Sequence, residues 1–209
     1  MKPVNNLFLL ASFFFLLTAN AQPSSGGCWK TISAGGNHVL AIGNNDKIWG
    51  WGSNFLGPLG LGAASGDQLN PVPCANTSVF SKISTGGNEF SIALKPDGTL
   101  WSTGLNDYGE LGIGSNVNKS SFTQIGLATN WHTFSAGGLH TLALKTDGTL
   151  WSWGGNSEGQ LGNNTMVDSN SPIQIGVATN WAMVSAGGYY FSAAIKTDGT
   201  LWTWGHDFY

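Results

Sequence analysis

A repeat of about 51 residues constrains this chain more than any other feature of its sequence. Pairs of adjacent glycines begin at positions 35, 86, 137 and 187, which are 51, 51 and 50 residues apart. A column of tryptophans repeats with the same period and consists of Trp49, Trp101, Trp151 and Trp202. Self-similarity at this length is typical of solenoids and propellers, in which each unit buries one face against the next.

Each unit alternates apolar and polar residues with a period of two, which predicts short strands rather than helices. In the third unit, Leu142 and Leu144 alternate with smaller or polar residues, and Leu150 follows the turn sequence KTDGT. Asp-Gly in that turn supplies a glycine that can adopt the positive φ needed in a tight hairpin. Three or four short strands per unit predict an all-β fold, in which each unit is a small antiparallel sheet forming one blade of a propeller.

The repeated pattern resembles the regulator of chromosome condensation repeat. It consists of Gly-Gly, an apolar strand, Asp-Gly-Thr-Leu-Trp-x-Trp-Gly-x-Asn and Gly-x-Leu-Gly, and the likeness extends from about Cys28 to Tyr209. The resemblance implies a propeller of seven blades, of which this chain would supply about four as a partial β-propeller. The repeats are expected at approximately 28–78, 79–129, 130–179 and 180–209.

The fourth copy of the repeat is shorter than the other three. Residues 205–209, GHDFY, align with residues 104–108, GLNDY, after which the second copy continues with GELG. This alignment predicts that the sequence is a fragment of a longer protein and that a further Gly and a Leu-Gly follow. Assembly of two half rings is the alternative, because an open arc leaves unpaired strand edges through which copies can self-associate.

Residues 1–21 have the pattern of a secretory signal peptide. Lys2 precedes an apolar run of eleven residues, Leu7 to Leu17, and Ala19-Asn20-Ala21 supplies small residues at a cleavage site. A run of this length is too short to span a bilayer as a helix, which takes about 20 residues. We therefore expect a mature chain that begins at Gln22, a secreted or cell-surface location, and no membrane span.

Export makes a disulfide between Cys28 and Cys74 chemically accessible. The bridge would close a loop of about 46 residues, which is worth roughly 4 kcal/mol on the chain-entropy model. Spacing in the sequence does not give a Cα separation, so the pairing stays open. A lipid anchor on Cys28 is the competing interpretation, and the preceding SSGG argues against it because it lacks an aliphatic residue.

The charge of the chain argues against a nucleic-acid partner. The sequence has eight lysines, eleven acidic residues and no arginine, so its formal net charge is -3 at pH 7. Without guanidinium groups the surface lacks the planar, bidentate donors that suit phosphates and guanine edges. A net negative chain also lacks the basic surface that drives counterion release from nucleic acid.

The repeated motifs do not predict a cofactor, a metal site or a catalytic centre. Gly-Gly is not followed by the Gly-Lys-Ser/Thr of a phosphate loop, and each Asp-Gly turn has one acid where a calcium loop has several oxygen ligands. His38 and His140 align with Phe90 and Phe191, which indicates a packed ring rather than a metal ligand. We therefore expect no catalytic, cofactor-binding or metal-binding residues, and a chain that is not an enzyme.

The loops after the tryptophan motif are the candidate binding surface. Their sequences SNFLGP, LNDYGE and GNSEGQ differ at matched positions while the framework repeats. Phe55, Leu56 and Tyr108 are the large apolar or aromatic residues that we would test first for partner contact. Packing within the loop is the other interpretation of these three residues.

The resemblance predicts the scaffold of this chain, and it does not assign functional residues to it. The founding member of the family exchanges guanine nucleotides on a small nuclear GTPase, whereas the signal peptide directs this chain elsewhere. Secreted bacterial propellers of this repeat type bind and inhibit β-lactamases, which implies loops on one face that grip a protein. We expect a non-catalytic module that binds a protein, with a glycan as a second class of ligand. A passive structural or adhesion segment of a larger surface protein and a secreted enzyme are the alternatives.

Overall fold

The structure is a computed structural model, and it describes residues 28–76, 78–188 and 190–206. The predicted signal peptide, residues 1–21, lies outside the described residues. Within the described ranges the regular structure is all β, as the period-two pattern predicts, and it contains no helix.

In the part of the chain that the structure describes, fifteen strands form four antiparallel sheets, and within each sheet the strands are hydrogen-bonded in chain order. The first three sheets have four strands each and the fourth has three. The strands are β1 (Trp29–Ala34), β2 (His38–Gly43), β3 (Ile48–Gly52), β4 (Gln68–Pro73), β5 (Lys82–Thr85), β6 (Phe90–Leu94), β7 (Leu100–Gly104), β8 (Lys119–Gln124), β9 (Trp131–Ala136), β10 (His140–Lys145), β11 (Leu150–Gly154), β12 (Ser169–Gln174), β13 (Trp181–Ala186), β14 (Phe191–Lys196) and β15 (Leu201–Gly205).

The four sheets are the blades of a partial β-propeller. Each sheet lies within one of the four repeats expected from the sequence, and successive sheets contact each other through their first strands β1, β5, β9 and β13. The predicted fold class, an all-β partial propeller of small antiparallel sheets, is therefore confirmed.

The two ends of each sheet carry different connections. At the hairpin end, tight turns such as residues 95–99 join the second strand to the third. At the loop end, a Gly-Gly turn joins the first strand to the second, and a long loop joins the third strand to the fourth. The Gly-Gly turn and the long loop are tied together, because Ser53 N donates to the Asn37 carbonyl at 2.8 Å. Each of the first three blades therefore presents a short uniform turn at one end and a long variable loop at the other.

The Gly-Gly pairs lie where neighbouring sheets approach most closely. Gly87 N donates to the Gly137 carbonyl at 2.9 Å, and Gly138 N donates to the Gly187 carbonyl at the same distance. A Cβ atom on Gly137 would lie 2.7 Å from the Gly187 carbonyl oxygen. Glycine repeats at these positions because a side chain would separate the blades.

The hydrophobic core lies between the sheets rather than inside any one of them. One cluster joins Phe90 and Ile92 of the second sheet to Trp131 and Trp153 of the third. The other cluster joins residues of the first sheet, such as Leu40, to residues of the second. Since each fully buried large side chain contributes about 1.5–3 kcal/mol, the seams between blades supply most of the hydrophobic stabilisation.

The predicted tryptophan column packs at the margin of these clusters. Trp101 lies against the cluster between the first and second sheets, and Trp151 lies against the cluster between the second and third. Both side chains are half-buried, whereas Trp153, two residues after Trp151 on the same face of β11, is fully buried. The centre of that seam is therefore filled by Trp153, and the repeated column closes its hairpin end.

The structure does not join Cys28 to Cys74, and both are free thiols. Cys28 precedes β1 and Cys74 follows β4, so the two residues lie on opposite edges of the first sheet. Neighbouring strands are about 4.8 Å apart, which places these edges roughly 14 Å from each other. That distance exceeds the Cα separation of about 4.4–6.8 Å that a disulfide needs. Cys74 is buried, and its thiol instead donates to the Leu59 carbonyl at 2.8 Å.

Candidate functional site

A buried asparagine organises each of the three long loops at the loop end. Asn106 Oδ1 accepts a hydrogen bond from Leu111 N at 2.9 Å, and its Nδ2 donates to the Ser115 carbonyl at 2.6 Å and the Val117 carbonyl at 3.2 Å. Asn54 and Asn156 are also fully buried and bond their own loops in the same way. One side chain therefore holds two distant parts of each loop together, which makes the loop a rigid frame.

Sequence reasoning gave these asparagines no role beyond their place in the repeated motif. Their signal was available, because Asn54, Asn106 and Asn156 each follow the Gly that ends the third strand by two residues. Asparagine carries two donors and one acceptor on a single amide, which suits a group that must satisfy several backbone atoms inside a loop.

The Gly-x-Leu-Gly element seats each loop against the following blade. Gly109 has a φ of 86°, and a Cβ atom there would lie 2.7 Å from the Cβ of Asn170 on β12. Gly114 N donates to the Asn170 carbonyl at 2.8 Å, and Leu111 is fully buried. The loop of the second blade is therefore fixed to the outer strand of the third blade as well as to its own sheet.

The three predicted contact residues lie on the first two of these loops. Phe55 is 74% exposed and Tyr108 is 45% exposed, whereas Leu56 is half-buried. Tyr108 N donates to Glu110 Oε2 at 3.0 Å, which fixes the backbone beneath the Tyr108 ring. Phe55 and Tyr108 thus project from successive rigid loops at one end of the propeller, and their contact with a partner stays a prediction.

The character of the loop end changes from one blade to the next. The exposed position after the buried asparagine is Phe55 in the first loop, Asp107 in the second and Ser157 in the third. The next position is Leu56, Tyr108 and Glu158 in turn. The loop end is therefore apolar over the first blade and polar or acidic over the third.

Glu110 is fully buried at the base of the second loop. Its carbonyl accepts hydrogen bonds from Trp153 Nε1 at 2.8 Å and Thr141 Oγ1 at 3.2 Å, so its backbone joins the second blade to the third. Burial raises the pKa of its carboxyl group to about 7, and the charges of Asp107 and Asp168 act in the same direction. The carboxyl group occupies the place that Gln160 fills in the following loop.

His38 and His140 are buried between blades. His38 Nε2 lies 2.8 Å from Ser91 Oγ of the second sheet, and His140 Nε2 lies 2.9 Å from Ser192 Oγ of the fourth. Burial lowers the pKa of each imidazole to about 4, so both are neutral at pH 7. Each ring fills a seam and supplies one hydrogen bond across it.

The described residues contain neither a cluster of metal-ligand side chains nor a membrane-spanning helix. No group of three or more His, Cys, Asp and Glu side chains lies close enough together there to hold a metal ion. Across residues 28–76, 78–188 and 190–206, no helix has the length and apolar character needed to cross a membrane.

Small antiparallel sheets packed side by side, each with a Gly-Gly turn and a Trp-bearing third strand, define a propeller built from sequence repeats. A family model of the Regulator of chromosome condensation (RCC1) repeat matches residues 97–144 and 147–195. A second model with the same description matches residues 29–57, 80–110, 131–160 and 184–209. The chain belongs to the RCC1 repeat family.

Two curated relatives are similar to parts of the chain. The human X-linked retinitis pigmentosa GTPase regulator is 33% identical over 101 residues, which is 48% of this chain and 10% of that protein. The Arabidopsis thaliana ultraviolet-B receptor UVR8 is 32% identical over 126 residues, which is 54% of this chain and 28% of the receptor. The chain thus spans about a quarter or less of the length of these relatives.

A solved structure of yeast RCC1 (Prp20) with bound Kap60 has the same fold. It superposes with a TM-score of 0.76 at 22% identity, covering 88% of this chain and 45% of the yeast chain. A second structure, of Prp20p from Saccharomyces cerevisiae, gives a TM-score of 0.75 at 23% identity, covers 87% of this chain and 46% of that one, and was described with its binding to Gsp1p and histones. At this level of identity the likeness shows the fold alone.

Proposed function

We propose that this chain is part of a secreted or cell-surface propeller that binds a protein partner without catalysis. The observation that carries the proposal is the pair of rigid loops at the loop end, which expose Phe55 and Tyr108 above fully buried asparagines. Exposed aromatic residues on a rigid loop lose little conformational entropy on binding. More of the free energy of their contacts therefore remains as binding affinity.

Protein binding by other propellers of the family supports this proposal. Yeast RCC1 binds Kap60, and Prp20p is described with binding to Gsp1p and histones. The location is supported by the signal-peptide pattern of residues 1–21, which sets the expected partner outside the cell. The absence of catalysis is supported by the buried histidines, since each is packed in a seam and is bonded to a serine that is itself buried.

The proposal is tested by removing the two exposed rings and measuring partner binding. We expect the double variant Phe55→Ala and Tyr108→Ala to bind an extracellular partner at least about 30-fold more weakly, because even one interface hot spot is worth about 2 kcal/mol or more. The partner is first identified by affinity capture from the extracellular fraction and mass spectrometry, and its affinity for purified variants is then measured with a biosensor.

A matched control is available at the hairpin end. Leu127 and Val177 are more than nine-tenths exposed apolar residues in the connections before β9 and β13. The double variant Leu127→Ala and Val177→Ala should retain full affinity. Retention of affinity by the Phe55 and Tyr108 variant, or an equal loss in the control, would show that the loop end is not the binding surface.

Self-association through the outer edge of the fourth sheet is the second candidate. Among the described residues, no strand pairs with β15 on its outer side, and a groove of about 550 Å³ beside it exposes Val177, Trp202 and part of Trp181. Unpaired strand edges of this kind pair with other chains. Light scattering would then show a mass that rises with concentration, and Thr203→Lys on β15 should suppress that rise while the control Ser157→Lys leaves it unchanged. A monomeric mass at all concentrations would exclude self-association.

A further inference from the structure

Three of the four blades hold a lysine ammonium group over two aromatic rings at the hairpin end. In the third blade, Lys145 Nζ lies 3.7 Å from the centroid of the Trp151 ring and 5.0 Å from that of Trp131. The other two sets have the same form, with Lys95 at 3.7 Å from Trp101 and 5.6 Å from Phe80, and Lys196 at 4.3 Å from Trp202 and 4.9 Å from Trp181. Attraction between a cation and the face of an aromatic ring stabilises each set.

Strand register brings the members of each set together. Trp131 pairs with Lys145 between β9 and β10, and Trp181 pairs with Lys196 between β13 and β14. In the first blade the corresponding pair is Trp29 with Gly43. The lysine position of the first blade is therefore occupied by a residue without a side chain.

The first blade keeps both rings of the set. The ring centroids of Trp29 and Trp49 lie 6.0 Å apart with an interplanar angle of 85°, compared with 5.9 Å and 81° for Trp131 and Trp151. Trp29 and Trp49 are both half-buried, so part of each side chain is in contact with solvent. The aromatic half of the site is thus the same as in the third blade, and the cation is missing from its usual position in the sequence.

We infer that Trp29 and Trp49 bind an organic ammonium ion supplied by another molecule. A Cβ atom on Gly43 would lie 3.5 Å from Trp49 Nε1. A side chain at the position that holds lysine in the other blades would therefore begin next to the Trp49 ring. The nearby Lys30 is held by Asp46, with which it forms an ion pair. The ligand is an organic ammonium group, because the three complete sets hold the alkylammonium group of a lysine over the same kind of rings. A quaternary ammonium group has the same charge and is attracted to ring faces in the same way.

An acceptor next to the rings favours a cation over a neutral apolar ligand. Asn45 Oδ1 lies 3.1 Å from the position of a Cβ atom on Gly43. It also accepts a hydrogen bond from Lys47 N, so its oxygen is held on this side of the turn. The site lies at the hairpin end, so this inference does not depend on partner binding at the loop end.

The inference is tested by titrating the ¹⁵N-labelled chain and following the indole N–H signals of Trp29 and Trp49 by NMR. The probes are choline and its neutral isostere 3,3-dimethylbutan-1-ol, which has the same shape without the charge. We expect saturable shifts at both indoles and binding of choline about fivefold or more tighter than that of the alcohol. Equal binding of the two probes, or shifts that do not saturate, would overturn the inference.

Two substitutions decide whether the missing lysine creates the site. Gly43→Lys restores the lysine of the other blades and should weaken choline binding at least tenfold, because the new ammonium group occupies the rings. Lys145→Ala makes the opposite change in the third blade and should add a second site, seen as choline-dependent shifts at Trp131 and Trp151. If Gly43→Lys does not fold, failure of Lys145→Ala to open a second site overturns the inference by itself.

A third probe distinguishes the two sources of the ammonium group. Nα-acetyl-lysinamide represents a lysine side chain of a partner protein, whereas choline represents a free quaternary ammonium compound. Tighter binding of the lysinamide would assign the site to a partner's lysine, and tighter binding of choline would assign it to a small molecule. Binding of neither probe to Trp29 and Trp49 contradicts the inference.

Discussion

The seam between the second and third blades and the seam between the third and fourth are built on the same contacts. In the first of these seams, Trp153 Nε1 donates to the Glu110 carbonyl at 2.8 Å. In the second, Trp204 Nε1 donates to the Gln160 carbonyl at 2.9 Å. In both, the side chain of the accepting residue turns back to bond a backbone N–H two positions earlier.

The two seams differ in the groups that can titrate. The seam of the second and third blades contains the Glu110 carboxyl group and, in the histidine position, Phe90. The seam of the third and fourth blades contains the neutral Gln160 amide and His140. A buried carboxyl group resists the charge that it would gain as pH rises, whereas a buried imidazole resists the charge that it would gain as pH falls. The two equivalent seams therefore respond to pH in opposite directions.

Removal of the tryptophan at each seam is expected to have the largest effect. Trp153 is fully buried and Trp204 is only half-buried, although both make the same hydrogen bond. We expect Trp153→Ala to lower the free energy of unfolding by about 3–5 kcal/mol, as for other large buried side chains. Trp204→Ala should cost less than about 2 kcal/mol, because less apolar area leaves water there. Chemical denaturation measures both, and equal losses would show that the two seams are packed equally well.

Replacement of the Glu110 carboxyl group should remove the loss of stability that its ionisation causes as pH rises towards 7. Folding raises the pKa of Glu110 from 4.5 to about 7, so between these values the folded chain binds more protons than the unfolded chain and stability falls as pH rises. The fall is on the order of 3 kcal/mol. Because His38 and His140 act in the opposite direction over nearly the same range, this contribution is measured as the difference in the free energy of unfolding between Glu110→Gln and the unchanged chain from pH 4 to pH 8. That difference should grow in favour of Glu110→Gln as pH rises.

The third blade offers the reciprocal variant as a control. Gln160→Glu places a carboxyl group at the equivalent position of the seam between the third and fourth blades. It should create a fall in stability over the same range of pH. An unchanged pH profile in both variants would show that the seams do not differ through this side chain.

Replacement of His140 tests the response of opposite sign, which falls in an overlapping range of pH. Folding lowers the pKa of His140 from 6.5 to about 4, so between these values the unfolded chain binds more protons and stability falls as pH falls. His140→Phe, which copies the residue at position 90, should flatten this acid limb by up to about 3 kcal/mol. At pH 7 it should cost about 1–2 kcal/mol, because the bond to Ser192 is lost.

His38 provides an internal reference for that measurement. It has the same lowered pKa and the same kind of bond, to Ser91, in the seam of the first and second blades. His38→Phe should therefore flatten the acid limb by a similar amount, and the double variant by roughly the sum. Acid limbs that stay steep in all three variants would place the titrating groups elsewhere.

The turns of the hairpin end were predictable because their contacts are local. In the second blade, Asp97 Oδ1 accepts hydrogen bonds from Thr99 N at 2.9 Å and Thr99 Oγ1 at 2.6 Å. Thr99 Oγ1 in turn accepts a bond from Trp101 Nε1 at 2.9 Å. The Asp-Gly-Thr-Leu-Trp motif contains this chain of bonds within five residues, so its three copies predicted the hairpins of the last three blades, whereas the columns of Gly-Gly and Trp predicted the number of blades.

The contacts between blades were not predictable, because they join residues that are distant in the sequence. His140 and Ser192 are 52 residues apart, and the motif gave no reason to pair them. No motif singled out Glu110, whereas its burial in the seam raises the pKa of its carboxyl group. A long-range pair depends on how one sheet rotates against the next, which no local pattern encodes.

The repeat, the strand pattern, the turn chemistry and the family could be inferred from the amino-acid sequence, since each of these depends on residues within one unit of about 51 positions. Three features became known from the folded chain: Cys28 and Cys74 lie on opposite edges of a sheet, Phe55 is exposed while Leu56 is half-buried, and the rings of Trp29 and Trp49 lack a lysine. Burial and pairing are properties of the packed sheets, because they depend on which surfaces meet when the blades stack.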